Sequence, residues 1–213
     1  GLGFKMSEIL KIDTGTGGSI DTARGSIKKD PNMAKDKLLP FVNENHDILK
    51  KTMPKFVGDL PDEFWDTLLH RMWITMKHTG GIGLSANQVG INERIFIMGN
   101  EEICIACINP EVKEQSEEQE LMVEGCLSYP GLMLSIRRPK WVIGKFTNAK
   151  GETIEQRFEG LSARCYLHEL DHMNGIRMID HVSPFALKRA QDKQAKLLKK
   201  VRRKNKNDKR TNS

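Results

Sequence analysis

The sequence at residues 166–172 is Tyr-Leu-His-Glu-Leu-Asp-His, which contains the pattern His-Glu-x-x-His. Residues four apart lie on one face of a helix, so the imidazoles of His168 and His172 can reach the same metal ion. Glu169 is one position further along and can face a water molecule held by that ion. We therefore predict a helix over about residues 161–173 that carries a metal site. On this pattern alone, two ordinary surface histidines are the alternative.

A catalytic metal site needs a third protein ligand and an open position. Upstream, residues 124–128 (Glu-Gly-Cys-Leu-Ser) offer the thiol of Cys126 in a short polar turn. Downstream, His181 is the alternative ligand, although its spacing differs from that of the extended metalloprotease pattern. A lone cysteine is more often a small buried hydrophobe than a ligand, so this choice depends on a further segment.

That segment is Gly-Ile-Gly-Leu-Ser-Ala-Asn-Gln at residues 81–88. Two glycines one residue apart allow the backbone to approach a ligand closely. A dinucleotide loop is excluded because the third glycine is missing and the glycines follow a predicted helix rather than a strand. Gln88 can place an amide donor where negative charge develops on a carbonyl oxygen. Taken alone, a helix cap followed by a buried strand is the simpler interpretation.

The flanking patterns predict an α+β fold with antiparallel strands. Apolar residues every four positions predict a helix between Pro61 and Gly80, and Ser183-Pro184 is typical of the start of another helix. Short apolar runs predict strands. These runs are residues 94–98 and 103–108, together with a hairpin of residues 141–147 and 153–158 around a four-residue loop at 148–151.

Composition and charge divide the chain into three regions. Residues 1–37 are polar and aperiodic and are predicted to be a disordered extension. Residues 38–203 are predicted to form one catalytic domain and residues 204–213 a basic tail. Residues 188–213 hold 12 Lys or Arg and 2 acidic residues (+10), whereas the remainder holds 22 basic and 26 acidic residues (−4). This asymmetry predicts contact with an anionic partner at the C-terminal end only, and a solubilising tail is the alternative.

Several classes of protein are disfavoured. No apolar run is long enough to span a bilayer, and the first ten residues lack the order of a secretion signal. Residues 1–5, which precede Met6, are interpreted as an addition to the natural chain. Four cysteines do not form a disulfide framework, and Cys104 and Cys107 should point to opposite faces of a strand rather than bind zinc. We expect a soluble protein of the cytoplasm of a bacterial or bacterial-type cell, with an organelle as the alternative compartment.

Taken in order, the three segments resemble those of peptide deformylases. That family is marked by Gly-x-Gly-x-Ala-Ala-x-Gln, Glu-Gly-Cys-Leu-Ser and Gln-His-Glu-x-Asp-His, which are matched here at residues 81–88, 124–128 and 167–172. The resemblance covers roughly residues 38–200. Three motifs in the right order form a specific signal, whereas each motif alone is weak.

Two positions depart from the family pattern. Ser85 stands where the family usually has alanine, which adds one hydroxyl, and Leu167 stands where glutamine usually precedes the first histidine. The predicted ligand and base positions are unchanged. We therefore expect activity to be retained and the hydrogen bonding near His168 to differ.

The resemblance implies antiparallel sheets around a central helix that bears His-Glu-x-x-His, with a further helix at the C-terminus. It implies a hydrolase of protein biosynthesis that removes the formyl group from the N-formylmethionine of nascent polypeptides and releases formate. The expected cofactor is one divalent metal ion, iron in vivo, with zinc, nickel or cobalt able to replace it. A peptidase and an inactive metal-binding relative are the competing hypotheses.

The resemblance also carries over site residues and partners. Glu169 is the expected acid–base carboxylate. The expected metal ligands are Cys126, His168 and His172. The expected oxyanion donors are the Gln88 amide and the Leu127 backbone N–H, and the expected substrate-binding residues are Ile82, Gly83 and Gly125. The expected partners are N-formylmethionyl peptides and a ribosome contacted through the basic C-terminal helix, with neither a membrane nor DNA.

Around this site, several side chains have two interpretations. Glu124 and Arg138 are predicted either to form a buttress for the Cys126 turn or to be a weak solvated pair. Asp171 either orients a ligand or faces solvent. Tyr129 either borders the cleft or packs in the core, and Cys165 is predicted to pack in the core.

Overall fold

The computed structural model describes residues 38–100 and 102–211, with side chains described through Arg203. The predicted extension at residues 1–37 lies outside this part, as do the side chains of the predicted tail. Three α-helices and seven strands lie within the described residues. The helices are α1 (Glu63–His78), α2 (Gly160–Met173) and α3 (Pro184–Thr211). The strands are β1 (Gly83–Ser85), β2 (Ile95–Gly99), β3 (Cys104–Gln115), β4 (Gln119–Gly125), β5 (Met133–Pro139), β6 (Trp141–Thr147) and β7 (Thr153–Glu159).

The strands form two antiparallel sheets, which confirms the predicted α+β class. One sheet has the order β1-β2-β3-β6-β7, and the other consists of β4 and β5. The predicted hairpin is β6–β7, but its loop has five residues, 148–152, because the ladder ends at the Thr147–Thr153 pair. The Asn148 carboxamide oxygen accepts hydrogen bonds from the backbone N–H groups of Lys150 and Glu152 and so holds the longer loop.

Successive side chains of β2 point to opposite faces of the five-stranded sheet, and one helix packs on each face. Ile95 and Ile97 pack with α1, whereas Phe96 and Met98 pack with α2. On β3, Cys104 faces the α1 side and Cys107 faces the α2 side, as predicted. Cys165 lies in the same buried cluster as Cys107, which confirms its predicted place in the core. These three cysteines are free thiols inside the core.

Helix α1 begins and ends as the sequence predicts. Asp62 caps its first turn by accepting a hydrogen bond from the Trp65 N–H. At its end, Gly80 has a φ of 72° and the Gly81 N–H donates to the Met76 carbonyl, a chain reversal that favours glycine. The backbone then enters β1 directly, so α1 fixes the start of the segment that bears Gly83.

Helix α2 lies between the two sheets. It contacts β1, β2, β6 and β7 on one side and β5 on the other. The Tyr166 ring stacks on Phe158 with centroids 5.0 Å apart. Gly144 permits this packing, because a Cβ there would lie 2.5 Å from the Tyr166 ring. The opposite face of α2 is therefore directed toward the β4–β5 sheet.

Helix α3 packs along the outside of β5. Leu187 and Ala190 contact a cluster formed by Leu134, Ile136 and other buried residues of that region. The helix continues past residue 203, the predicted end of the catalytic domain, as far as Thr211. In the described part of the chain, no helix combines the length and apolar character needed to cross a bilayer.

Candidate metal centre

One sulfur and two imidazoles meet where α2 faces the end of β4. Cys126 follows β4 in a turn that is closed by a hydrogen bond from the Tyr129 N–H to the Cys126 carbonyl. The ligand atoms of Cys126, His168 and His172 all lie within 4.8 Å of one another. The Cys126 Sγ is 3.4 Å from the Nε2 of His172. Two segments that are distant in sequence, the turn after β4 and helix α2, thus converge on one point.

The chemistry of these donors fits a divalent transition metal. Burial disfavours the thiolate, but the charge of His172 and hydrogen bonds with His168 and His172 outweigh it and hold the pKa of Cys126 well below its usual range. The thiolate is the metal-binding form of cysteine. Thiolate and imidazole suit iron, zinc, nickel and cobalt, and three protein ligands leave a position open for chemistry.

Glu124 fixes the orientation of the first histidine. Its carboxylate accepts hydrogen bonds from Arg138 Nε (2.6 Å) and NH2 (3.0 Å), and from Arg164 NH1 (2.6 Å). It also lies 2.9 Å from His168 Nδ1. A proton on Nδ1 donates to this carboxylate, which leaves the His168 Nε2 lone pair for a metal. The Glu124–Arg138 ion pair is therefore buried and supports the position of His168, and it is not a solvated surface pair.

The hydrogen-bond network continues to the surface through Asp171. Arg138 NH1 donates to the Asp171 carboxylate at 2.8 Å, and His181 Nε2 lies 2.7 Å from the same oxygen. Asp171 thus holds Arg138, the residue that holds Glu124. His181, the alternative third ligand considered from the sequence, is instead a partner of Asp171 and does not belong to the cysteine–histidine group.

Replacing Glu124 with glutamine is expected to weaken metal binding by about 10- to 100-fold, the usual effect of removing a ligand's hydrogen-bond partner. The amide keeps the shape of the side chain but loses the charge that favours a proton on His168 Nδ1. Competition of the purified variant against a chelator measures the affinity, and Glu118→Gln, an exposed position, is the matched control. An unchanged affinity for the Glu124 variant would contradict this role.

Glu169 is buried beside the predicted ligands. Burial raises the pKa of Glu169 to about 7, against the opposing charges of His168 and His172. A carboxylate that titrates near neutral pH can both accept and deliver a proton. Its Oε1 lies against β1, where a Cβ on Gly83 would be 2.5 Å away. Among the described residues, Oε2 is buried and has no hydrogen-bond partner.

Gln88 is fixed next to the sulfur. It lies in the 3-10 turn Ala86–Val89, where its Nε2 donates to Ser128 Oγ at 2.9 Å and lies 3.5 Å from Cys126 Sγ. Leu127 directly follows Cys126, and its side chain packs against Gly81. The structure therefore places the Gln88 amide beside the sulfur, and Leu127 is next to Cys126 in the chain.

The predicted substrate-binding residues lie on two strand ends near the same point. Ile82 precedes β1, Gly83 is its first residue, and Gly125 is the last residue of β4. Tyr129, in contrast, is buried in a cluster with Leu132 and other apolar side chains, which favours its interpretation as core.

A family model described as polypeptide deformylase matches residues 38–188. The chain belongs to the peptide deformylase family. The peptide deformylase of Thermotoga maritima is 44% identical over 123 residues, which are 58% of this chain and 75% of that relative. The predicted resemblance is thereby confirmed.

Solved peptide deformylase structures show the same fold. The Synechococcus elongatus peptide deformylase in complex with actinonin is 30% identical, with a TM-score of 0.72 over 79% of this chain and 92% of that one. The Met-Ala-Ser-bound peptide deformylase of Acinetobacter baumannii is 32% identical, with a TM-score of 0.65 over 68% of this chain and 98% of that one.

Membership in the peptide deformylase family defines the reaction. The enzyme is a metallohydrolase that removes the N-terminal formyl group from nascent polypeptides and releases formate. It therefore acts on formylated peptides in protein biosynthesis. The predicted hydrolase and its substrate class are confirmed.

Arg164 is a polar residue of this deformylase site that the sequence interpretation missed. Arg164 lies four positions before His168 on α2, so it shares the face of the predicted ligands. Its guanidinium also donates to the carbonyls of Ile136 and Glu120, which ties α2 to the β4–β5 sheet. The four-residue spacing of Arg164 and His168 can be read from the sequence. The carboxylate that accepts from Arg164, that of Glu124, cannot.

Proposed function

We propose that Cys126, His168 and His172 hold one divalent metal ion in this enzyme and that Glu169 is its acid–base residue. The observation that carries this proposal is the convergence of the three ligand atoms within 4.8 Å. Helix α2, which we take as the central helix of the fold, supplies both histidines and the glutamate. The Glu124 network supports the assignment because it orients His168 from behind.

The residues divide the reaction between them. Cys126, His168 and His172 would hold the divalent ion, which would supply Lewis acidity and lower the pKa of the attacking water. Glu169 accepts the proton of the attacking water and then delivers it to the leaving amine nitrogen. The Gln88 Nε2–H and the Leu127 backbone N–H donate to the formyl oxygen as negative charge develops there. The buried position of Glu169 keeps the transferred proton away from solvent.

The proposed native ion is ferrous iron, and zinc, nickel or cobalt would replace it. One thiolate donates charge to the ion and two neutral imidazoles complete a set that all four metals accept. The expectation of iron comes from the family resemblance. The thiolate and the two imidazoles are compatible with all four metals. Metal analysis of enzyme purified without oxygen distinguishes the four.

The substrate is proposed to bind as an added strand between the two sheets. β1 is an edge strand of the five-stranded sheet, and β4 has a partner on one side only within the described residues. Gly83 and Gly125 lie on these strands, and Ile82 would contact the methionine side chain. The Met-Ala-Ser bound to the Acinetobacter baumannii relative supports a peptide of this length.

One assay tests the proposed site and its chemistry together. Enzyme purified anaerobically is analysed for metal and supplied with formyl-Met-Ala-Ser, and formate and peptide fragments are both measured. We expect one equivalent of metal and formate release without fragments. Cleavage of a peptide bond without formate would favour a peptidase, and full metal content in a Cys126→Ala/His172→Ala variant would overturn the ligand assignment.

We also propose that α3 docks the enzyme on ribosomal RNA, which would place it in the compartment where formylated chains are made, the cytoplasm of a bacterial-type cell. Residues 188–213 carry 12 Lys or Arg, while the rest of the chain is slightly acidic. Contacts between basic side chains and phosphates release counterions, so such binding weakens steeply with salt. Docking through α3 would bring the metal site near emerging N-termini.

Replacing the four basic residues of 204–213 with glutamine is expected to reduce ribosome pelleting at low salt and to flatten its salt dependence. Formate release from a free peptide should not change. The control replaces two exposed lysines of the sheets, Lys113 and Lys140, with glutamine. Equal pelleting of the tail variant and the control at every salt concentration would rule out docking through this part of α3.

A further inference from the structure

The hydroxyl of Ser85 joins two buried carboxamides next to the metal centre. Ser85 is fully buried, and its Oγ lies 2.9 Å from Gln88 Oε1 and 2.9 Å from Asn87 Oδ1. Both partners are carbonyl-type oxygens, so the hydroxyl must be the donor. Its single hydrogen is therefore shared between them in a three-centre bond.

The contacts around Gln88 require one orientation of its carboxamide. The Ser85 backbone N–H, which can only donate, lies 3.0 Å from Oε1, and the hydroxyl adds a second donor to the same oxygen. The opposite end, Nε2, faces Cys126 Sγ at 3.5 Å. Rotating the amide by half a turn would place its oxygen against the sulfur and would leave two donors facing an NH2 group.

Asn87 connects the Ser85 hydroxyl to His172, the second predicted histidine ligand. Its Nδ2 donates to the carbonyl of His172 at 2.8 Å. The Asn87 Oδ1 is then directed to the Ser85 hydroxyl. One side chain thus links the turn that carries Gln88 to the helix end that carries His172.

We propose that Ser85 is a positioning residue for deformylation, and that its hydroxyl holds the Gln88 amide with Nε2 directed at the sulfur and the formyl oxygen. This inference rests on the proposed role of Gln88. The family usually has alanine at this position, where the backbone N–H alone would orient the amide. In this chain the hydroxyl adds a second donor and so restricts rotation of the amide.

Replacing Ser85 with alanine is expected to lower kcat by about 2- to 10-fold, the effect of one ordinary hydrogen bond. KM for formyl-Met-Ala-Ser should change by less than about twofold, because the oxyanion donor acts mainly in the transition state. Ser135→Ala, which removes an exposed hydroxyl on β5, is the matched control. Thermal unfolding of both variants reports any loss of folded enzyme.

A double-mutant cycle identifies the residue through which Ser85 acts. In a Gln88→Ala background, the further change Ser85→Ala should have no effect on kcat. A second readout is the thiolate-to-metal absorption band of the cobalt-loaded enzyme, which should shift in Ser85→Ala and stay unchanged in Ser135→Ala. A merely structural role for Ser85 would not move this band, because the ligands themselves are retained.

The outcomes separate this inference from the proposed role of Gln88. If Gln88→Ala is slow but Ser85→Ala has the wild-type kcat and an unchanged cobalt band, the inference about Ser85 is wrong and the role of Gln88 stands. If Ser85→Ala lowers kcat equally in both backgrounds, Ser85 does not act through Gln88 and the inference is also wrong. If Gln88→Ala has full activity, the proposed role of Gln88 is overturned together with the inference.

Discussion

Replacing Glu169 with glutamine is expected to lower the rate of formate release by about 100- to 10,000-fold, the range that general acid–base residues contribute. The amide has the size of the carboxylate but cannot take up the proton of water or pass it to the leaving nitrogen. The position of Glu169, buried next to His168 with a pKa of about 7, gives the native carboxylate both abilities. Formate release from formyl-Met-Ala-Ser measures the effect.

The metal content of Glu169→Gln shows whether its loss of activity comes from the missing carboxylate or from a missing metal ion. The Glu169→Gln enzyme should retain one equivalent of metal, because the three proposed ligands are untouched. Glu118→Gln, at an exposed position of a surface ion pair, should behave as wild type in both assays. A Glu169→Gln enzyme that keeps more than a tenth of wild-type activity would exclude Glu169 as the acid–base residue.

Replacing Gly83 with alanine is expected to reduce activity by about 100-fold or more, since displacement of a reacting group by about 1 Å has effects of that size. The new Cβ would lie 2.5 Å from Glu169 Oε1 and 2.8 Å from Cys165 Sγ. Neither atom can remain in place, and Glu169 is the one that takes part in the reaction. The backbone at Gly83 does not have a positive φ, so strain in β1 contributes little.

A second substitution separates the two contacts at Gly83. Cys165→Ala removes the sulfur but leaves Glu169 where it is, so Gly83→Ala/Cys165→Ala should stay as slow as Gly83→Ala. Metal content should be close to that of the wild type in both variants. Recovery of activity in the double variant would show that the sulfur, and not the carboxylate, is responsible for the loss.

Local sequence patterns predicted the elements that carry the site. The spacing of His168 and His172 predicted α2 to within one residue at its start, since helical spacing and ligand spacing coincide there. The ends of α1 were predicted because Pro61 and Gly80 act through local backbone geometry. The family resemblance then linked Cys126 to this helix.

Contacts between distant segments could not be predicted in the same way. Nothing in the sequence near Glu124 indicates that it faces Arg138, Arg164 and His168 at once, because this depends on how β4 and β5 pair and where α2 packs against them. For the same reason β4 and β5 were not predicted as strands. The contact between His181 and Asp171 could not be predicted either, because it forms only where the chain turns back after α2.

The short edge strand β1 has a consequence for which proteins the enzyme can process. β1 spans only Gly83–Ser85. The proposed binding of substrate along β1 through its main chain would make recognition depend little on the side chains that follow the first residue. An edge of three residues also offers few main-chain groups for pairing with another sheet, so β1 itself is a poor template for edge-to-edge aggregation.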